Sequence, residues 1–208
     1  MCNFQVSLRP RTDEPAPEDA VRSEVLIFNS GGSGARPELD GMSATAFPSG
    51  VMTMPVEATE QVGPVVIWRK ELRPDSGGAG KYRGGLGQYM DVGASHGHEF
   101  DFSAMFDRVD HPALGRTGGK PGGATTIARS DDEPMQGKGK QFVPHGARVE
   151  MAFPGGAGYG DPAQRDPDLI KRDIALGYIT PEHAVEFYKI SASEVSAILK
   201  QTKNGEIT

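Results

Sequence analysis

Leu72-Arg73-Pro74-Asp75-Ser76-Gly77-Gly78-Ala79-Gly80-Lys81-Tyr82-Arg83-Gly84-Gly85-Leu86-Gly87-Gln88 gathers two glycine pairs, two lone glycines, three cations and an Asp-Ser pair in one stretch. Glycine is placed where φ must be positive or where another group comes too close for a Cβ, and each one costs backbone entropy on folding. A flexible linker is rich in Gly and Ser without arginines. A charged, glycine-dense stretch therefore reads as a shaped surface.

Strand signals flank it on both sides. Val65-Val66-Ile67-Trp68-Arg69-Lys70-Glu71-Leu72 is β-branched and apolar at first and alternates later, as a strand leaving a core does. Gln88 to Val92 and Phe100 to Phe106 alternate with period two, and the glycines and histidines from Gly93 to His98 between them predict a hairpin. Val25 to Phe28, Thr125 to Ala128 and Arg148 to Phe153 are further strands, and Met1 to Leu8 alternates with no preceding turn, as if cut from something longer. The links are too short for crossover helices, so antiparallel pairing is expected.

After Gly160 the period becomes helical. Asp166 with Pro167, Thr180 with Pro181, and the Ser191/Glu194 capping box mark three helix starts, Gly177 ends the first helix, and Thr202 to Thr208 reads as a frayed end. The expected fold class is α+β, a β-rich and mainly antiparallel body with a C-terminal cluster of short helices. Residues 1–24 form an N-terminal strand and an acidic, proline-rich linker, 25–162 the β-rich glycine-loop body, and 163–208 the helical segment.

With 208 residues, 28 Gly and 16 Pro, the chain can bury a core and stays below the low-complexity range of roughly 25–30% Gly plus Pro. A net charge of −6 and a pI near 5.4 give no basic footprint for nucleic acid. No apolar run approaches the ~20 residues of a membrane span and no secretory signal is present, so a cytoplasmic location is expected. The single cysteine, Cys2, permits no intrachain disulfide and lacks the electropositive setting of a catalytic thiol.

Gly93-Ala94-Ser95-His96-Gly97 matches the nucleophile-elbow pattern, but strand-like sequence follows where that motif needs a helix. His96 and His98 are weak metal candidates, more simply the polar tip of a hairpin. Gly155-Gly156-Ala157-Gly158-Tyr159-Gly160-Asp161-Pro162 and the segment from Asp75 to Lys81 lack the spacing of a nucleotide loop. Two readings stay open for Gly77, Gly78, Gly155, Gly156, Gly158 and Asp161: a backbone nest for a carboxylate or phosphate, or tight corners where strands cross. Arg36, Arg73, Arg83 and Arg116 lie beside glycine turns or prolines, either stapling loops through Asp40, Asp75 or Asp161 or holding an anionic substrate. The abundance of nearby Asp favours the staple. Arg36, Asp40, Asp75, Ser76 and Arg83 remain the candidates for substrate or anion binding.

Together these segments resemble the hydantoinase B / 5-oxoprolinase family, specifically the C-terminal part of its B-type polypeptide. The resemblance rests on Gly31-Gly32-Ser33-Gly34-Ala35-Arg36-Pro37 with Asp40-Gly41, on Pro55-Val56-Glu57 with Glu60, and on Leu72 to Gln88. Asp107-Arg108, Gly118-Gly119-Lys120-Pro121-Gly122, Pro154 to Pro162 and Arg165-Asp166-Pro167 extend it. It implies ATP-dependent opening of cyclic amides such as 5-oxoproline or N-methylhydantoin, or ATP-dependent carboxylation of ketones in a related branch. It also implies an A-type subunit that holds ATP with Mg, and a possible divalent metal, Mn or Zn, on an N-terminal B-type part that this chain does not contain. The expected assembly is a hetero-oligomer with both, inactive as this chain alone, with no nucleic acid and no membrane. A purely structural subunit is the alternative of a different class. Whether a split subunit or a fragment, the chain is expected to pair its first strand with a sheet contributed by a partner, leaving the linker from Asp13 to Asp19 exposed.

Overall fold

Cys2, Phe4, Val6 and Leu8 alternate with polar residues along β1 (Cys2–Pro10), and all four are buried. In the computed structural model, which describes residues 2–11, 22–45 and 54–204, that alternation makes β1 an interior strand. It pairs antiparallel with β2 (Ser23–Ile27) on one side and β5 (His98–Phe106) on the other, and β7 (Lys138–Val143) completes the order β2-β1-β5-β7. The second sheet runs β3-β4-β8-β6, from β3 (Val65–Leu72), β4 (Gln88–Ala94), β8 (Arg148–Ala152) and β6 (Thr126–Arg129), again antiparallel throughout.

The inner faces of the two sheets share one core. Phe4 stacks on Phe102 with centroids 4.9 Å apart, and Phe106 meets Phe4, Phe102 and Phe153 edge-on. Val65, Ile67, Met90, Val92, Val149 and Met151 face them from the second sheet. Burying each such side chain contributes about 1.5–3 kcal/mol. The α+β class is as expected, β-rich with helices at the C-terminal end.

Two expectations are corrected. β4 and β5 do not form a hairpin; they lie in different sheets, and the link between them carries the chain from one sheet to the other. Nor does β1 await a partner's sheet, since both its edges are paired inside the chain and its apolar face fills the core. The linker from Asp13 to Asp19 lies outside the described residues.

The short helix α1 (Val56–Glu60) guards the open edge of β3, where the Glu60 carboxylate accepts from the Ile67 N–H at 2.8 Å. The C-terminal helices begin as their caps dictate. Asp166 accepts from Asp168 N–H ahead of α2 (Pro167–Ala175), Thr180 from His183 N–H ahead of α3 (Pro181–Tyr188), and Ser191 and Glu194 complete the capping box of α4 (Ala192–Lys203). Gly177, at φ 69°, follows the end of α2. α4 carries Thr202 and Lys203 in its last turn, so the frayed end does not start at Thr202.

The glycine segments form a second interior built mainly of backbone. Residues 76–80, 83–88 and 154–158 are buried, with Leu86 as their one large apolar side chain. Neighbouring segments exchange hydrogen bonds: Gly32 N–H donates to Pro154 O, Gly85 to Ser33 O, Gly156 to Gly85 O, Gly78 to Gly156 O and Gly158 to Lys120 O, at 2.8–3.0 Å. A Cβ at Gly156 would stand 1.7 Å from Ser33 O, and one at Gly84 would stand 1.9 Å from Gly156 O. Neither residue has left-handed φ. Close backbone approach is what these positions require.

Three outcomes test this architecture. Gly156→Ala should cost about 3 kcal/mol or more, since the obstacle is backbone that no rotamer change relieves. Gly34→Ala, where the nearest atom would be 3.9 Å away, should stay within about 1 kcal/mol of wild type in urea denaturation. Deleting residues 2–10 removes the middle of the first sheet, so the truncated chain should show no cooperative thermal transition by circular dichroism.

Candidate functional site

Where the glycine interior meets the helices, four charged side chains form one buried network. Arg83, 3% exposed, donates from Nε to Asp173 Oδ2 at 3.0 Å and from Nη1 to Gly84 O at 2.7 Å. Arg165, also 3% exposed, makes a two-pronged pair with Asp40 at 2.8 and 2.7 Å and reaches Asp173 Oδ2 at 2.7 Å. Asp40 accepts in addition from the Arg83 N–H at 2.7 Å. Tyr178 lies against Arg83 and Tyr188 against Arg165, at 5.5 and 5.8 Å from ring centroid to guanidinium carbon.

The electrostatics follow from this pairing. Burial by itself raises the Asp40 carboxyl, but the Arg165 guanidinium and the Arg83 N–H outweigh it and hold Asp40 below the usual carboxylate range. Burial likewise opposes charge on Arg165, and Asp40 and Asp173 overcome it, so its proton is held more tightly than usual. Arg83 and Arg165 close on Asp40 and Asp173, joining the body to α2, and the half-exposed Arg172 reaches the same two carboxylates from outside, at 4.0 and 3.8 Å.

Asp75 makes the second junction. It adopts φ 59°, donates its N–H to Tyr178 O at 3.1 Å and accepts from Thr180 N–H at 2.8 Å, so it fixes the entry to α3. His183 stands with Nδ1 3.6 Å from that carboxylate, and burial lowers its pKa although Asp75 opposes the shift. Ser76 is buried, donating to Arg73 O at 2.6 Å and accepting from Gly87 N–H at 2.9 Å. Arg73 turns to the carbonyls of Ala124 and Phe153, at 2.7 and 3.2 Å.

The remaining candidates scatter. Arg36 is exposed on a tight turn closed against Leu39, and Arg116 is exposed with its N–H on Gly158 O. Asp161 caps a short 3-10 helix, Pro162–Gln164, by accepting from Ala163 N–H at 3.0 Å. The N–H groups of Gly78, Gly155, Gly156 and Gly158 donate to carbonyls of neighbouring segments, and Gly77 packs against Gly84 O. His98 Nδ1 lies 3.3 Å from His96 O, and His145 Nδ1 lies 3.0 Å from His98 O. Among the described residues no group of three or more His, Cys, Asp or Glu is placed to hold a metal ion. Cys2 is fully buried, and burial pushes its thiol pKa up.

Of the sequence candidates, Asp40, Asp75, Ser76 and Arg83 lie in one region of the structure and Arg36 lies apart; of the two residues that bind that region together, Arg165 entered only through the family resemblance and Asp173 not at all. Asp173 carried a signal, because a carboxylate beside Ile170 and Ile174 on the apolar stripe of an amphipathic helix needs a buried partner.

Among known families, the description Hydantoinase B/oxoprolinase matches residues 1–162. The chain is 29% identical to the B component of the putative D-/L-hydantoinase of Pseudomonas sp. (strain NS671), over 81% of this chain and 29% of that protein. It is 30% identical to the acetophenone carboxylase delta subunit of Aromatoleum aromaticum, over 78% of this chain and 29% of that one. It is 31% identical to the beta subunit of the caprolactamase of Pseudomonas jessenii, over 80% and 30%. It thus spans under a third of the length of these relatives. Among solved structures, nucleotide-free acetone carboxylase shares the fold, with a TM-score of 0.72 at 19% identity over all of this chain and 34% of its own.

The network generates a test. Asp173→Asn leaves two buried guanidinium groups facing one carboxylate, and should destabilise by about 3–5 kcal/mol in urea titration. Asp40 has a lowered folded pKa, so its contribution is present above the unfolded value of about 3.9 and is lost as pH falls through the folded value. The stability difference between wild type and Asp40→Asn should therefore be largest near neutrality and shrink in strong acid.

Proposed function

Because the chain belongs to the hydantoinase B/oxoprolinase family, we propose that it is the C-terminal-type portion of a B-type subunit in an ATP-dependent cyclic amide hydrolase. The observation that carries this reading is the family match over residues 1–162, joined by relatives named as subunits of a hydantoinase and of a caprolactamase. In this reading ATP and Mg are held by an A-type subunit, which activates the ring carbonyl oxygen, and the N-terminal part of a B-type polypeptide supplies a divalent metal, Mn or Zn. This chain contributes a rigid glycine-walled surface and works within a hetero-oligomer, inactive by itself. Names of relatives as subunits support the assembly. No helix among the described residues is long and apolar enough to cross a membrane, and a cytoplasmic complex is part of the proposal.

Two other readings have an observation each. The acetophenone carboxylase relative favours ketone carboxylation by the same machinery. The commitment of Asp40, Ser76 and Arg83 to internal bonds favours a structural subunit that gives no residue to the reaction.

The decisive experiment isolates the complex from the native cell through a tag on this chain. It then assays ATP-dependent opening of 5-oxoproline, hydantoin and caprolactam beside bicarbonate-dependent consumption of acetophenone. Ring opening by the complex and none by the isolated chain is the expected result. Ketone consumption selects the carboxylase, and lactam opening by the isolated chain overturns the hetero-oligomer reading. Full turnover in Arg36→Ala and Asp75→Asn complexes selects the structural role.

A further inference from the structure

The register of β3 with β4 slips between Ile67 and Arg69, a bulge that turns Trp68 and Arg69 both outward while Ile67 stays in the core. Trp68 is 60% exposed. Its indole nitrogen sits over Gly93, where a Cβ would stand 3.2 Å away, and the Arg148 guanidinium lies 5.3 Å from the ring centroid. On the same outer face the Arg69 guanidinium lies over Tyr89 at 4.0 Å. The face is open among the described residues: Trp68, Arg69, Glu71, Ala128 and Glu150 are all exposed, and α1 meets the sheet only at β3, whose edge it guards. Along β4, Asp91 stands between Tyr89 and Gly93 and is half-buried. It has no hydrogen bond or ion pair among the described residues, since Arg69 gives Nε and Nη2 to Glu71 and Arg148 stands 4.0 Å from Glu150. Glu150 is the direct cross-strand neighbour of Asp91, and like charges so placed destabilise a sheet. Burial and then Glu150 push the Asp91 carboxyl pKa up.

We propose that this face of the second sheet is where a partner polypeptide docks, setting apolar groups on Trp68 and a basic side chain against Asp91 and Glu150. Trp, Tyr and Arg are the side chains that dominate binding energy at protein interfaces, and Gly93, Ala128 and Ala152 keep the sheet around them flat enough for close approach. Charge decides the occupant. Docked face to face, a second copy of this chain would offer Arg69 and Arg148, which already serve Glu71 and Glu150, and would bring further carboxylates. A different chain that presents a guanidinium or ammonium satisfies Asp91 and offsets its repulsion from Glu150. The inference rests on the hetero-oligomer reading and names the surface through which this chain joins, whether the complex opens lactams or carboxylates ketones.

The partner recovered with the tagged wild-type chain is titrated by calorimetry into wild type, Trp68→Ala, Asp91→Asn and Asp91→Arg. Each change lies on an open sheet face, so the isolated variants should melt within about 3 °C of wild type. Binding should weaken about tenfold or more in Trp68→Ala and in Asp91→Asn, and be lost in Asp91→Arg. Trp68 is the one tryptophan, so chain labelled with 5-fluorotryptophan carries a single fluorine, whose NMR signal should move and lose its solvent exposure when unlabelled partner is added. A wild-type chain that recovers no partner, or only copies of itself, overturns the hetero-oligomer reading and this proposal together. A partner that binds folded Trp68→Ala and Asp91→Arg as tightly as wild type, or that leaves the fluorine as exposed as in the free chain, overturns the proposal alone.

Discussion

A carbonyl oxygen 1.7 Å from where a Cβ would stand leaves room for glycine alone, and this contact recurs wherever the segments around Ser33, Ser76, Gly85, Lys120 and Gly156 meet. Such packing puts peptide groups within hydrogen-bond reach in a region with almost no apolar side chains. Its satisfied backbone does what methyl groups do in the sandwich, excluding water from an interior. The surrounding charges then have a dry, rigid wall to work against. That setting makes the Arg83, Arg165, Asp40 and Asp173 network consequential, since a low-dielectric neighbourhood strengthens paired charges and penalises unpaired ones.

The network also sets the limit of the folded unit. The family match ends at residue 162, yet Arg83 inside it is neutralised by Asp173 outside it, and Asp75 fixes the start of α3. Ala79 of the glycine loop packs in one apolar cluster with Ile170, Ile174, Ile179 and Tyr188. The helical segment is therefore bonded into the body's interior through charge, cap and apolar contact at once.

What could be read beforehand divides along a physical line. Local chemistry was legible: the period-two alternation of β1, the caps Asp166, Thr180 and Ser191, and the strand character of β3 all act within a few residues. Choices made at long range were not. Whether β4 pairs with β5 or β8 depends on which sheet closes over which, and the Gly93 to His98 stretch looks alike in either case. β7 is hard to see because Lys138, Gly139 and Lys140 suit an exposed edge strand, with the lysines discouraging further pairing. Within the site, Asp40 and Arg83 were identifiable as polar residues beside glycine turns. That each would also meet a partner more than 80 positions away, Arg165 and Asp173, is a property of the glycine packing.

That packing bears on how the chain reaches its fold. The contacts of the glycine interior join Gly32 to Pro154, Ser33 to Gly85 and Gly78 to Gly156, so few can form until most of the polypeptide is present. Each closure has a loop-entropy cost before any hydrophobic return, and glycine raises it by leaving the unfolded segments unusually free. High contact order of this kind slows folding. The first sheet is no more local, since β1 pairs with β5, but its phenylalanines gain from apolar contact before register is set, whereas the glycine interior gains only where N–H and C=O groups meet in full register.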